Sequence, residues 1–341
     1  MMQKLIGRLK EFDLGIRGKY KYFVFAVFLF AFFYTHVAFY TERLYWMHLL
    51  ISYVIGFVLL FLGKENLRKT DFKNTIRGLF PKDIWCHPST INDCILAVLN
   101  VAVNPVFIKI INLIPMVIFG VAGYKIAGLL PIEPYTMNPT FSTMLVLTVA
   151  MFIMADFSFY WSHRWTHKIA ALWEFHKVHH SAEVMTPITL LRIHPVDNFL
   201  NSVIGAMGRS FIVGFFFYLY PTTSGVVTIL STNILVFIFH ILGSNLRHSH
   251  IWWSWGPMFD HIFISPAMHH IHHSDKTKHL DKNFGSILSL WDWIFGTIYV
   301  PDGRENIVFG LGKNKETENY DTVMKLYFRP FYRAYKVLTK K

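Results

Sequence analysis

The chain carries 18 histidines, and 15 of them fall between His163 and His279. Residues 163–180 read HRWTHKIAALWEFHKVHH and hold His163, His167, His176, His179 and His180. Residues 269–273 read HHIHH, where His269, His272 and His273 repeat the spacing of His176, His179 and His180. Neutral imidazole is the commonest metal-ligating side chain and suits iron, zinc and copper. On a helix, residues three and four apart project from one face. The three groups therefore read as helical clips offering eight candidate ligands. One tetrahedral zinc takes about four ligands, so this set is enough for two metals. A lone histidine such as His36 or His48 reads as an ordinary satisfied ring; three matched clips do not.

The surrounding residues narrow the chemistry. Carboxylate-bridged di-iron bundles use Glu and Glu-x-x-His from several helices, yet only Asp156, Glu174, Glu183 and Asp197 lie near the first two clips. A zinc protease of the HExxH kind needs a Glu beside its first ligand, where this chain has Arg164. Haem b would call for paired histidines deep in membrane spans, whereas these fall at span ends. What remains is a di-metal site ligated almost wholly by imidazole. Such a site can bind dioxygen and attack a C–H bond of a lipid.

The elements that must carry these clips read as membrane helices. Hydrophobic residues make up 53% of the chain and charged residues 16%, against about 25% charged in a soluble domain. The length of 341 residues would allow two soluble domains, but the apolar runs favour one helical membrane domain. The net charge of +12 reflects cytoplasmic loops rich in Lys and Arg and does not call for nucleic acid. Cys86 and Cys94 are too few for a disulfide framework and form no CxxC. The first residues lack an apolar stretch with a small-residue cleavage site, so no removable signal peptide is expected.

Residues 1–20 are basic and amphipathic and are expected on the cytoplasmic membrane surface. Residues 20–40 and 46–62 read as spans joined by an outer turn, TERLY, and the basic loop at 64–88 returns to the cytoplasm. Residues 91–127 are apolar but broken by Asn100, Pro105, Lys109, Asn112 and Pro115, which suits a kinked span or a span plus an interfacial segment. Residues 141–161 form the next span and end at the first clip. Residues 199–220 and 223–242 read as a second hairpin with Pro221 at its outer turn. This count, made from Lys and Arg alone, places every clip on the cytoplasmic face. Residues 251–300 hold no clean span and are aromatic-rich, as at a membrane interface. From Lys325 onward the chain is basic with interleaved aromatics, which reads equally as a surface helix on anionic lipid or as a solvated helix. The expected fold is all-α: a polytopic transmembrane helical bundle with a cytoplasmic histidine-rich cap holding a di-metal site.

HRxxH, then HxxHH, then a later HxxHH, with spans between, resembles the fatty acid hydroxylase and sterol desaturase superfamily. The resemblance covers residues 141–301 and extends to RIHP at 192–195, SNLRHSH at 244–250, SPAMHHIHHS at 265–274 and DKNFGSILSLWDWIFGTIYVP at 281–301. It implies two non-haem irons, O2 and an electron donor; zinc can occupy such a site in purified protein. It implies His163, His167, His176, His179, His180, His269, His272 and His273 as ligands. It adds a histidine after the second hairpin, best matched by His248 and less well by His250 and His240. His194, in RIHP, is expected to support the ligands or line the site wall, with a role as an additional ligand the lesser alternative. Asp156 is expected either to orient a ligand imidazole or to cap a polar bundle interior. His270 reads as an extra ring, and His261 and His279 as surface histidines.

The resulting expectation is an O2-dependent di-iron membrane oxidoreductase that hydroxylates or desaturates a lipid, whether sterol, fatty acyl or related. Residues 1–140 would form an N-terminal membrane region, 141–301 the catalytic domain and 302–341 a basic tail. The chain has no HPGG haem signature and no dinucleotide-binding fingerprint, so a separate ferredoxin or reductase is implied. A bacterial inner membrane is the expected location, and the final LTKK is not a typical endoplasmic reticulum retention signal. The rivals are a membrane metal transporter or scaffold, which would place ionisable groups at the midplane of several spans, and a zinc-dependent membrane hydrolase.

Overall fold

The structure is a computed structural model that describes residues 45–63, 71–103, 105–135, 138–221, 228–229, 232–312 and 320–339. The expected N-terminal surface segment and the span at 20–40 lie outside the described residues. In chain order the helices are α1 (Trp46–Phe61), α2 (Phe72–Leu79), α3 (Lys82–Trp85), α4 (Pro88–Val103), α5 (Pro105–Ala127), α6 (Phe141–Lys168), α7 (Ala170–His180), α8 (Pro195–Leu219) and α9 (Ile234–Ile241). The short α10 (Pro257–Asp260), α11 (Pro266–His272) and α12 (Leu290–Ile294) follow, then α13 (Val323–Thr339). Among the described residues the only paired strands are β1 (Thr228–Ile229) and β2 (Thr232–Asn233), antiparallel and two residues each.

Local chemistry sets the ends of the helices that matter. The expected break in 91–127 falls between α4 and α5, with Pro105 first in α5, where a missing N–H costs nothing. The Thr140 hydroxyl accepts from the Thr143 N–H at 3.3 Å and caps α6. Pro195 and Pro266 open α8 and α11, each behind a capping side chain, His194 and Ser265. The sequence SHRWTHK contains no glycine or proline, so α6 runs past Trp161 and carries the first clip in its last two turns.

α6 and α8 are long and apolar enough to cross a membrane, while α1 and residues 111–127 are shorter apolar helices. The second arm of the expected 223–242 hairpin is not a full span among the described residues. Its helix, α9, has 8 residues, or about 12 Å of rise. The β-branched Thr228, Ile229 and Thr232 take extended backbone instead, and Asn233 caps α9 by accepting from the Leu235 N–H at 3.0 Å.

α8 lies between α5 and α6. Backbones meet closely where it crosses α5: a side chain at Gly214 would strike the Gly120 carbonyl, and one at Gly123 the Phe211 carbonyl. Such small-residue contacts are how membrane helices pack tightly without a hydrophobic driving force between them. α13 packs on α7, and Leu96, Val178, Tyr320 and Leu326 form the buried cluster joining α4, α7 and α13.

Candidate metal centre

The histidine clips converge, but not clip by clip. His163, His167, His176, His180 and His272 form one group, and His179, His248, His269 and His273 form a second. Within each group the candidate ligand atoms all lie within 4.8 Å of one another. His176 and His180 face the first group while His179, between them, turns to the second. Likewise His272 joins the first group, and His269 and His273 the second. Each HxxHH thus serves both groups. The groups adjoin, because the rings of His180 and His273 stack at 4.5 Å between centroids.

The outer nitrogens are held by groups the clips do not contain. Nδ1 of His163 lies 2.8 Å from the Phe284 carbonyl, Nδ1 of His272 2.8 Å from the Lys282 carbonyl, and Nδ1 of His179 3.2 Å from the Arg192 carbonyl. A carbonyl only accepts, so each of these rings carries its proton on Nδ1 and turns an Nε2 lone pair inward. Nδ1 of His176 donates to Asp197 Oδ2 at 2.8 Å with the same result. The Nε2 atoms of His163 and His176 then face each other at 3.1 Å. In neutral rings that contact sets two lone pairs against one another. A cation between them resolves it.

The second group shows the same convergence. Nε2 of His248 lies 3.3 Å from that of His179 and 3.0 Å from that of His269, and Nε2 of His269 lies 3.1 Å from that of His273. Metal–imidazole bonds of roughly 2.0–2.1 Å place neighbouring ligand nitrogens on one ion about 3.0–3.4 Å apart. Nε2 of His167, His180 and His272 is buried without a hydrogen-bond partner, a costly state for a polar atom unless something coordinates it. Burial first, then neighbouring imidazoles, hold His179, His180, His269 and His273 well below the ordinary histidine range. Burial pushes His272 down to about 3. Buried, convergent imidazoles in groups of five and four fit two metal ions.

The carbonyls that fix the grouped imidazoles are themselves anchored. Asp292 accepts from the Phe284 and Gly285 N–H groups, both at 2.8 Å, and from the Thr297 hydroxyl at 2.6 Å. Asn283 Nδ2 donates to the carbonyls of Met268 and Tyr299 at 3.0 and 2.8 Å, tying the loop to α11. Arg192 is buried; it donates to the Val178 carbonyl at 2.8 Å, the Ser181 hydroxyl at 2.7 Å and Asp93 Oδ1 at 2.7 Å.

Residues 148–297 match the family model for fatty acid hydroxylase. The matched segment, 150 of the 341 residues, is similar to that family. All nine grouped histidines fall inside the matched segment, as do Asp197 and Asp292, whereas Asp93 and Tyr320, which hold Arg192 from either side, fall outside it. The alkylglycerol monooxygenase of Homo sapiens is 29% identical over 160 residues, 47% of this chain and 32% of that protein. The ornithine lipid hydroxylase of Rhizobium tropici is 26% identical over 159 residues, 47% of this chain and 44% of its own length. A Delta(7)-sterol 5(6)-desaturase of Candida dubliniensis is 24% identical over 240 residues, 70% and 55% of the two chains. The match spans less than two thirds of each of these relatives. No solved structure gives a significant match.

The other expected residues stand apart from the two groups. His250 Nε2 donates to the Gly78 carbonyl at 2.7 Å, and His240 Nδ1 meets the Ser244 hydroxyl at 2.9 Å. His194 caps α8 and its Nε2 donates to the Tyr327 carbonyl at 3.0 Å, behind α7 rather than among the ligand nitrogens. Asp156 orients no imidazole: it accepts from the N–H groups of Ile287 and Leu288 and from the Trp291 indole, at 2.8, 3.0 and 3.0 Å. Seven residues of helix separate it from His163 by about 10 Å, which brings it to the loop and not to the rings. His270 stays outside both groups and His261 is exposed, as expected. His279 is not a surface residue; it is buried, with Nε2 3.2 Å from Glu305. The supporting acids Asp197 and Asp292 and the three carbonyls carry no spacing signal. Only their position within RIHP-V-D and DKNFGSILSLWDW hinted at them.

Proposed function

We propose that this chain is a membrane oxidoreductase whose two histidine groups each hold an iron and which uses O2 to oxidise a lipid C–H bond. The observation that carries the reading is the partition of nine histidines into two adjoining groups of buried, convergent ring nitrogens. A bound pair of irons supplies the redox capacity to reduce O2 and break an unactivated C–H bond. The chain's own residues fix the tautomers, through Asp197 and the carbonyls of Phe284, Lys282 and Arg192, and exclude water around the ligand nitrogens.

The balance of a hydroxylation is O2, two electrons and two protons in, one oxygen atom placed on carbon and the other released as water. The electrons come from a separate donor, a ferredoxin or reductase. Hydroxylation is favoured over desaturation by the names of two of the three relatives above. The lipid would reach the metals through the bilayer along the apolar faces of α6 and α8. The reading keeps the histidine groups on the cytoplasmic side of a multi-pass, bacterial inner-membrane protein, with residues 141–301 as the catalytic domain and the preceding helices as its membrane region.

The test is metal analysis of protein from iron-replete cells, with reductant-dependent uptake of 18O2 in the presence of the host's lipid extract. Two irons per chain and an 18O-labelled lipid, both lost or halved in His176→Ala and His272→Ala, is the expected result. One tightly held zinc with no O2 chemistry would overturn the reading in favour of a hydrolase. Metal binding without any lipid product would favour a transporter or scaffold.

A further inference from the structure

Helix α13 has three faces. At about 100° per residue, Leu326, Pro330 and Ala334 form one arc, which is buried. This arc lies on α7, the helix that carries His176, His179 and His180. Tyr327 accepts from His194 across it, and Arg333 Nε lies 3.6 Å from Glu174 Oε2 of α7. Met324, Phe328, Phe331, Tyr335 and Leu338 form a second arc, and all five are exposed, Tyr335 at 66% and Leu338 at 73%. Lys325, Arg329, Arg333 and Lys336 fill the third arc, and no acid occurs from Lys325 to Lys341. The Arg329 Nε is buried and has no hydrogen-bond partner.

Single exposed apolar residues are ordinary, but a continuous stripe marks a surface that something covers. Here the stripe borders a purely cationic arc. That pairing belongs to a helix lying in the plane of a membrane interface, with its apolar side in the acyl boundary and its cations among phosphates.

We propose that α13 docks on the surface of an anionic bilayer through Met324, Phe328, Tyr335 and Leu338, with Arg329 and Lys336 among the lipid phosphates. A second copy of this chain suits the stripe poorly, because it would bring two cationic arcs together, Lys325 and Arg333 being already paired with Asp321 and Glu174 of their own chain. The buried arc joins this lipid contact to α7, so the membrane surface steadies the helix from which three of the nine grouped histidines project. The inference rests on the membrane reading of the chain and not on its metal chemistry.

The test places one reporter cysteine in a Cys86→Ser, Cys94→Ser background, either Leu338→Cys or Val146→Cys, the latter on the exposed face of the candidate span α6. Each is labelled with a polarity-sensitive fluorophore. The protein is placed in nanodiscs of phosphatidylcholine, with or without phosphatidylglycerol, some lipids carrying a spin-label quencher near the headgroup. A blue shift and quenching at position 338 in the anionic discs is expected, with weaker effects in zwitterionic discs. Arg329→Gln combined with Lys336→Gln should remove the anionic gain. Solvent-like, unquenched emission at 338 beside a quenched label at 146 overturns the docking and leaves the membrane reading intact. Unquenched emission at both positions overturns both. Shielded emission at 338 that lipid quenchers do not reach means that protein covers the stripe, and also overturns the proposal.

Discussion

His176 Nδ1 donates to Asp197 Oδ2 at 2.8 Å, and both side chains are buried. Asp197 is itself held by Asn201, whose Nδ2 donates to Oδ1 at 3.2 Å and whose Oδ1 accepts from Ser162 at 2.5 Å. The carboxylate fixes the proton on Nδ1 and leaves Nε2 free to bind. In Asp197→Asn the amide can donate to Nδ1 and push the proton to Nε2. Loss of a partner of this kind typically costs about 10–100-fold in metal affinity. Competition between the protein and a chelator for cobalt reads the change directly. Unaltered affinity would mean that Asp197 only stabilises the start of α8.

The partition of the clips predicts how metals are lost. His167→Ala removes a ligand from the group of five and His248→Ala one from the group of four. Each variant should lose about one of two metals and keep the other, since binding follows ligand count and geometry. The double variant should lose both, and His261→Ala, at an exposed ring, should keep both. Metal analysis after gel filtration decides this. Loss of both metals in either single variant would show one cooperative cluster instead of two sites.

The grouping was legible because imidazole at three- and four-residue spacing has few other uses; all eight clip histidines, and His248, fall in the two groups. Their division was not legible. Adjacent helical residues diverge by about 100°, so His179 and His180 must part, yet which ring joins which group depends on where α6 and α11 pack. The acids were hidden for a related reason: Asp197, Asp292 and Asp93 act through contacts set by the fold. α9 shows the limit for the fold, because apolar composition does not separate a span from a short helix preceded by an extended pairing of β-branched residues.

Asp93 on α4 predicts a stability effect remote from the ligands. Its Oδ1 accepts from Arg192 at 2.7 Å and its Oδ2 from Thr189 at 2.7 Å, all within the buried interior. Arg192 in turn offers its carbonyl to His179. Asp93→Ala would leave a buried guanidinium without its counter-charge, a change that costs about 3–5 kcal/mol. Thermal unfolding in detergent should show it, together with weaker metal retention in the group of four. Asp93→Asn should be milder, because the amide oxygen still accepts. Equal stability of wild type and Asp93→Ala would show that the pair is dispensable.

The α5–α8 crossing depends on the absence of side chains. A Cβ at Gly214 would meet the Gly120 carbonyl, which belongs to backbone and cannot rotate away. Gly214→Ala should therefore force the helices apart, at an overpacking cost of about 1–3 kcal/mol. Gly303→Ala, where nothing lies near, serves as the control. A lowered melting temperature for the first variant alone is expected, and equal melting would remove the close crossing from the account of stability.

The buried imidazoles make the metal-free protein acid-sensitive. His272 is pushed down to about 3, and His179, His180, His269 and His273 are also held well below the usual value. The unfolded chain has no such burial and takes up protons near the ordinary pKa of about 6.5. Between the two values the unfolded state binds more protons, so stability is full above that pH and falls as pH drops below it. Each ring contributes a slope of up to about 1.4 kcal/mol per pH unit. Chelator-treated protein should melt at a constant temperature from about pH 8 to pH 7 and at steadily lower temperatures below about pH 6.5. His272→Gln should flatten that slope. A profile that stays flat to about pH 5 would mean that these rings are already protonated, or open to water, in the folded chain.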